Sequence, residues 1–122
     1  MEYIKSFESR KDEILRGKNR NRIEDDINGM LVELSDVRIN YRINWIGNWI
    51  NGIIIYLDKN DGVFNTSDIK EYLMMVENYL KQYWTDVSVR YESENSNSNY
   101  KISDCISENE EVTDVILEIK RK

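Results

Sequence analysis

Carboxylates are the most abundant side chains in this sequence whose type and spacing could perform acid–base or metal chemistry. They cluster at Glu24-Asp25-Asp26, at Glu92 with Glu94, and at Glu108, Glu110, Glu111 and Asp114. Paired carboxylates transfer protons or bind divalent cations. Each cluster falls at a predicted helix start or in a predicted loop, where solvated acidic residues are common and complement the helix dipole. No D-x-D or E-x-x-H spacing reinforces them, so we do not expect these carboxylates to be catalytic.

The residue types that are missing exclude several classes of enzyme. The chain has no histidine, one cysteine (Cys105) and five glycines that never cluster. His-assisted hydrolases are therefore excluded, and zinc or iron–sulfur sites are strongly disfavoured. Scattered glycines leave no phosphate-binding loop. We predict a non-enzymatic protein with no catalytic residue, no cofactor and no metal, although an accessory subunit of an enzyme stays open as an alternative.

Charge is distributed unevenly along the chain. Residues 1–22 carry seven Lys/Arg and four Asp/Glu, whereas residues 23–122 carry 10 and 19, which together give the net charge of −6. The basic stretch Arg16–Arg22 could bind phosphates, so a small nucleic-acid-binding protein is one alternative. It could equally be a solvated connector that pairs with the protein's own acidic face. The acidic remainder could simply keep the protein in solution. It could equally occupy the cationic groove of a nucleic-acid-handling protein or steer association with a basic toxin.

The elements that must position any functional residue are organised around one hairpin, Arg38–Asp58. Apolar and polar residues alternate strictly from Val37 to Trp45, which predicts a half-buried strand. Gly47-Asn48 predicts a two-residue type II′ turn, because glycine tolerates the positive φ that this turn requires. The return strand then runs to about Leu57.

This turn predicts a register that gives the hairpin an apolar face and a mixed face. Trp45 would lie opposite Ile50, and Tyr41 opposite Ile54. The mixed face would be more apolar than a solvated sheet face needs to be. It would hold Arg38, Asn40, Arg42, Asn44, Ile46, Trp49, Asn51, Ile53, Ile55 and Leu57. We expect either the first two helices or a partner to cover it.

Periodicity predicts the remaining elements. Helices are expected over residues 2–16, from about Arg22, and after Asp68, the last two starting at capping boxes Asn21/Glu24 and Asp68/Glu71. Their apolar stripes are Ile23, Ile27, Met30, Leu31 and Leu34, and then Ile69, Tyr72, Leu73, Val76, Leu80 and Tyr83. Alternating strands are expected at 87–92, 100–106 and 112–120. The last of them is expected to turn Val115, Leu117 and Ile119 inward. The order ααββαβββ predicts an α+β fold with an antiparallel sheet of four to five strands and helices mainly on one face.

Length and composition predict one domain over residues 1–122. No run of about 18 apolar residues predicts a membrane-spanning helix, and the charged N-terminus lacks the apolar centre of a signal peptide. A single cysteine is typical of a cytoplasmic protein. A short, acidic, histidine-free α+β chain resembles, in size and composition, the inhibitors of mobile elements and toxin systems. Examples are phage anti-defence proteins, including anti-CRISPR proteins, and immunity proteins that neutralise toxic nucleases.

That resemblance implies a binding protein that inhibits a larger protein partner, such as a nuclease or another nucleic-acid-binding effector. Tryptophan and arginine are the usual interface anchors, which points to the mixed hairpin face. The predicted partner-binding residues are Trp49, Ile46, Arg38 and Arg42, with Glu92, Glu94, Glu108, Glu110 and Glu111 as an electrostatic rim. A homo-oligomer built on the hairpin or on an edge strand is compatible with this hypothesis.

Overall fold

A computed structural model describes residues 18–47, 51–60, 62–84, 86–95 and 100–121 of the chain. The predicted helix at residues 2–16 and the predicted anchor Trp49 lie outside these ranges. Within them, no helix is long and apolar enough to cross a membrane.

Two α-helices form where helical periodicity predicts them. Helix α1 spans Lys18–Leu31 and continues into a 3-10 helix, Val32–Val37, while α2 spans Lys70–Lys81 after a short 3-10 turn at Thr66–Asp68. The predicted stripes are confirmed, because Ile23, Ile27, Leu31 and Leu34 are buried on α1 and its extension, and Ile69, Leu73, Val76 and Leu80 are buried at α2.

The predicted helix starts are wrong. Residues 18–22 of the expected basic connector are already helical, so Asn21 lies inside α1 rather than at its cap. Helix α2 is preceded by Ile69, whose side chain makes no capping hydrogen bond. Instead, the Asn65 side chain accepts a hydrogen bond from the Ser67 N–H at 2.9 Å, which places the cap one 3-10 turn earlier.

The strands form one antiparallel sheet, which confirms the α+β class. They are β1 (Asn40–Ile46), β2 (Gly52–Asp58), β3 (Phe64–Asn65), β4 (Val87–Asn95), β5 (Tyr100–Ser103) and β6 (Glu111–Arg121). Their order is β1-β2-β6-β4-β5, and the short, unpredicted β3 pairs with the start of β6. The last strand of the chain is therefore the central one, and β1 and β5 are edges.

The hairpin register differs from the predicted one. Trp45 lies opposite Ile53, Ile43 opposite Ile55, and Tyr41 opposite Leu57, so the connection spans residues 47–51 instead of two residues. The pairing is shifted by an odd number of positions, which moves every β2 side chain to the other face. Burying Ile53, Ile55 and Leu57 stabilises this register by about 1.5–3 kcal/mol per side chain, which outweighs the local preference for a tight turn. The predicted mixed face, which included these three residues, was wrong.

The sheet has one covered and one uncovered face. The inner face packs against α1 and α2, and its buried side chains include Val115, Leu117 and Ile119 of the central strand, as predicted. On the opposite face the outward side chains of all the long strands are exposed or half-buried. We call it the open face; no described helix lies on it.

Candidate partner-binding face

Cross-strand register assembles a row of acidic side chains at one end of the open face. Asp58 on β2 lies opposite Asp114 on β6, and Asp114 lies opposite Glu94 on β4. Asn40 and Tyr100 extend the row to the two edge strands. We call Asp58, Asp114 and Glu94 the acidic row. Like charges that lie directly opposite each other on a sheet are destabilising, so folding alone does not account for this arrangement.

The electrostatics of the acidic row follow from its geometry. Partial burial raises the pKa of Asp114 above its ordinary value, and the neighbouring carboxylates of Glu94, Asp58 and Glu92 raise it further. At the edge of the row, the Glu94 carboxylate raises the pKa of the Tyr100 hydroxyl by its charge and by accepting a hydrogen bond. Both shifts record a concentration of negative charge that a cationic group would relieve.

An apolar patch, formed by Tyr56, Ile116, Tyr100 and Ile102, adjoins the acidic row. The next register row runs Arg42, Tyr56, Ile116, Glu92 and Ile102 from β1 to β5. The Arg42 guanidinium stacks on the Tyr56 ring at 4.8 Å. A cleft of about 250 Å³ is lined by both of these residues and by Asp58 and Asp114 of the acidic row. Ile102 and Tyr100 are 61% and 63% exposed, which is high for large apolar side chains that neighbour each other on one strand.

Four of the predicted partner-binding residues belong to this face. Arg42 and Ile46 project from β1, and Glu92 and Glu94 project from β4. Ile46 lies at the far end from the acidic row, where it covers Gly52 on the neighbouring strand. The structure therefore brings Arg42, Glu92 and Glu94 into adjoining rows, although the register that suggested their grouping was wrong.

Arg38 lies away from the open face. Arg38 caps the end of the 3-10 helix and does not belong to strand β1. Its backbone is left-handed (φ 62°), and its N–H donates to the Ser35 carbonyl at 3.1 Å. Its side chain lines a separate cleft of about 590 Å³ whose walls include Asp36, Asp68 and Glu111. The prediction that Arg38 shares a face with Arg42 was therefore wrong, because the strand begins only at Asn40.

The predicted acidic rim is divided between two places. Glu108, Glu110 and Glu111 lie in and beside the loop that leads into β6, whereas Glu92 and Glu94 lie on the open face. Two of the loop carboxylates form ion pairs, Glu108 with Lys70 at 3.6 Å and Glu110 with Lys101 at 3.2 Å. The backbone at Glu110 is also tied to the buried Thr66, whose hydroxyl accepts the Glu110 N–H at 2.8 Å. Glu108 and Glu110 therefore have structural partners within the chain.

Two carboxylates in the middle of α1 have structural partners as well. The Trp45 indole N–H donates to Glu24, and the Tyr79 hydroxyl donates to Asp26. Arg20, from the basic stretch, stacks on the Trp45 ring at 5.3 Å. Among the described residues, no group of three or more Asp, Glu or Cys side chains is arranged to hold a metal ion.

Six residues of this face were not among the predicted partner-binding residues: Asp58, Asp114, Tyr56, Ile116, Tyr100 and Ile102. One signal was present, because the predicted inward set of β6 implies that Asp114 and Ile116 point outward. Nothing in the local pattern indicated which strands would flank β6, and so the acidic row could not be predicted. Comparisons with protein-family models, with curated proteins and with solved structures found no match to this chain.

Proposed function

We propose that the chain is a non-enzymatic cytoplasmic protein that binds and inhibits a larger protein partner through the open face. The partner is a nuclease or another nucleic-acid-binding effector, of the kind that anti-CRISPR, other phage anti-defence and immunity proteins neutralise. The open face occupies the cationic groove of this partner and keeps nucleic acid out.

One observation carries the proposal: the acidic row and an exposed apolar patch adjoin on the open face. The described residues contain no countercharge opposite Asp58, Asp114 or Glu94 in their own row, where the cross-strand neighbours are each other, Asn40 and Tyr100. Lysine and arginine side chains of a groove that normally holds phosphates would supply it. Tyr100 and Ile102 would lose exposed apolar surface in the same contact.

In this arrangement, different residues would control the rate of association and the rate of dissociation. Carboxylates concentrated at one end of a face steer a positively charged partner and raise the association rate, an effect that salt screens. Buried aromatic and arginine anchors slow dissociation, and Tyr56 with its stacked Arg42 is the best placed pair for that role. The predicted anchors Trp49 and Ile46 belong to the same hypothesis, with Ile46 at the far end of the face.

Matched charge variants test the proposal. A tagged wild-type chain is used to isolate its partner from the source cell, and the purified partner is then titrated with two triple variants. Asp58→Asn/Glu94→Gln/Asp114→Asn neutralises the acidic row. Glu108→Gln/Glu110→Gln/Glu111→Gln removes the same net charge from the loop and serves as the control.

We expect the acidic-row variant to bind at least tenfold more weakly and to lose most of the salt dependence of the association rate. The loop variant should retain wild-type affinity within about threefold. Equal affinity of the acidic-row variant and wild type for the partner would overturn the proposal. Retention of DNA or RNA by the wild type in a filter-binding titration would instead support the nucleic-acid alternative.

A further inference from the structure

The edge of the sheet at β4 is only half covered. Strand β5 pairs with β4 from Tyr91 to Glu94 and no further, whereas β6 pairs with β4 along its whole length on the other side. Residues Val87–Arg90 therefore have no described strand beside them on the β5 side. An uncovered strand edge carries backbone N–H and C=O groups that template the addition of another strand.

Symmetry and the position of β5 together select one register for pairing this edge with itself. A two-fold axis perpendicular to the sheet makes two copies of β4 antiparallel and keeps both helical layers on the same side. In an antiparallel pair, residues that lie opposite each other point to the same face of the sheet. The axis must therefore pass between the two copies of one residue, which lie opposite each other. Centring on Val89 would place a second strand opposite Tyr91, which β5 already occupies. Centring on Ser88 uses only residues 86–90.

This register is complementary in charge and in apolar character. Continued by one residue before β4, it sets Asp86 of one copy opposite Arg90 of the other, twice. Arg90 also forms an ion pair with Glu92 of its own chain at 3.3 Å. On the inner face the register sets Val87, which is half-buried, opposite Val89 of the second copy. Beside the edge is a cleft of about 420 Å³ lined by Glu77, Lys81 and Asp104, which leaves space for the incoming strand. Opposite charges and β-branched residues facing each other across strands both stabilise pairing.

The other long edge lacks this complementarity. Pairing β1 with itself about Ile43 sets Arg42 opposite Asn44, and pairing about Arg42 sets two arginines opposite each other. Lys101 would likewise face its own copy if β5 were centred there. Among the described edges, only the β4 register places oppositely charged residues of two copies opposite each other.

We propose that a second copy of this chain adds to the sheet at β4, pairing Asp86–Arg90 with the same residues about a two-fold axis at Ser88. The pairing joins two sheets into one and places both open faces on the same side. It involves only five residues of each chain, so the dimer forms at high protein concentration and dissociates on dilution. The inference is independent of the proposed function.

Sedimentation equilibrium over a concentration series tests the pairing. Ser88→Glu sets two carboxylates opposite each other at the axis, while within one chain it gains a partner in Lys120, the β6 residue opposite Ser88. We expect this variant to fold and to weaken dimerisation at least tenfold. Asn44→Glu adds the same charge to the exposed β1 edge and should dimerise as wild type does.

A charge exchange tests the register. Arg90→Asp should weaken the dimer at least tenfold, and Asp86→Arg/Arg90→Asp should restore it to within about threefold of wild type. Circular dichroism checks that each variant folds. If the charge-exchange variants do not fold, the dimerisation of Ser88→Glu alone tests the proposal. A wild-type chain that stays monomeric throughout the series, or a Ser88→Glu chain that dimerises as wild type does, would overturn the proposal.

Discussion

Hydrogen bonds from aromatic side chains hold α1 in place at the residue scale. From β1, Trp45 donates to Glu24, and the Tyr41 hydroxyl donates to the Asn28 side chain at 3.0 Å. From α2, Tyr79 donates to Asp26, and Tyr72 donates to Glu33 at 2.9 Å. The polar side of α1 and its 3-10 extension is thus hydrogen-bonded to both β1 and α2. Carboxylates that could have suggested acid–base chemistry serve here as acceptors that position a helix.

The bond between Tyr79 and Asp26 predicts a loss of stability in alkali. Partial burial raises the pKa of Tyr79 well above its ordinary value of 10, and the hydrogen bond to Asp26 raises it further. The resulting stability is fully present below pH 10 and is lost as the pH rises above 10, because the unfolded chain then releases the proton more readily. Tyr79→Phe should cost about 1 kcal/mol at pH 7. The free energy of unfolding of this variant should also fall less steeply between pH 9 and 11 than that of the wild type.

Urea unfolding of both proteins at several pH values measures this effect. Asp26→Asn, alone and combined with Tyr79→Phe, provides the control, because the two substitutions should be non-additive if the side chains interact. Identical alkaline slopes for wild type and Tyr79→Phe would contradict the assignment.

Two glycines with opposite surroundings give a second prediction at the residue scale. A Cβ at Gly52 would lie 2.5 Å from the Ile119 carbonyl oxygen, whereas a Cβ at Gly29 would meet nothing within 4 Å. Gly52→Ala should therefore destabilise the fold by about 1–3 kcal/mol through overpacking against the central strand. Gly29→Ala, inside α1, should stabilise it by about 1 kcal/mol. Thermal unfolding distinguishes these outcomes, and a neutral Gly52→Ala would argue against the observed pairing of β2 with β6.

At the scale of elements, strand order creates the candidate site. The central strand β6 is the last in the chain, and it lies between β2 and β4. This order places Asp114 between Asp58 and Glu94 and places Ile116 beside Tyr56. None of these neighbours is close in sequence. A different order of the same strands would keep the core and disperse the acidic row.

Removing a carboxylate from the acidic row should stabilise the fold and, under the proposed function, weaken binding to the partner. The raised pKa of Asp114 means that the folded chain holds this proton more tightly than the unfolded chain does. Stability therefore rises as the pH falls toward the ordinary carboxyl pKa, the reverse of a salt-bridged carboxylate. Asp114→Asn should stabilise the fold at pH 7 by about 0.5 kcal/mol, the scale of a cross-strand charge pair partly screened by solvent.

Urea unfolding at pH 7 and pH 4.5 tests this prediction. The gain should be largest at pH 7 and should shrink at pH 4.5, while binding to the partner weakens at pH 7. Glu108→Gln, whose carboxylate is 90% exposed and ion-paired with Lys70, is the control and should not stabilise the chain. A destabilised Asp114→Asn would show that this side chain has a structural role that the row does not explain.

At the scale of the whole molecule, charge is segregated along the sheet. The acidic row lies at the end where β6 begins, next to the loop that carries Glu108 and Glu110. Strand β6 ends at Lys120 and Arg121, near the end of β1 where Arg20 stacks on Trp45. With a net charge of −6 and this polarity, the molecule would present its acidic end first to the cationic partner that we propose.

The sequence by itself determined the kind of both described α-helices and of the long strands, and the buried side of α1, α2 and β6. The stripes of α1 and α2, the inward residues of β6 and the α+β class all follow from periodicity, which is a property of one segment at a time. Helix starts were less predictable, because Asn21 and Asp68 have the residue types of caps but lie inside α1 and in the 3-10 turn before α2.

Only the tertiary structure decided which side chains meet. The hairpin register was set by burial of Ile53, Ile55 and Leu57 against the helices and not by the preference of Gly47 for a tight turn. Placement of β6 between β2 and β4 likewise depends on hydrogen bonding between distant segments, which leaves no local pattern. The acidic row results from that placement, because a cross-strand neighbour is defined by pairing and not by spacing along the chain.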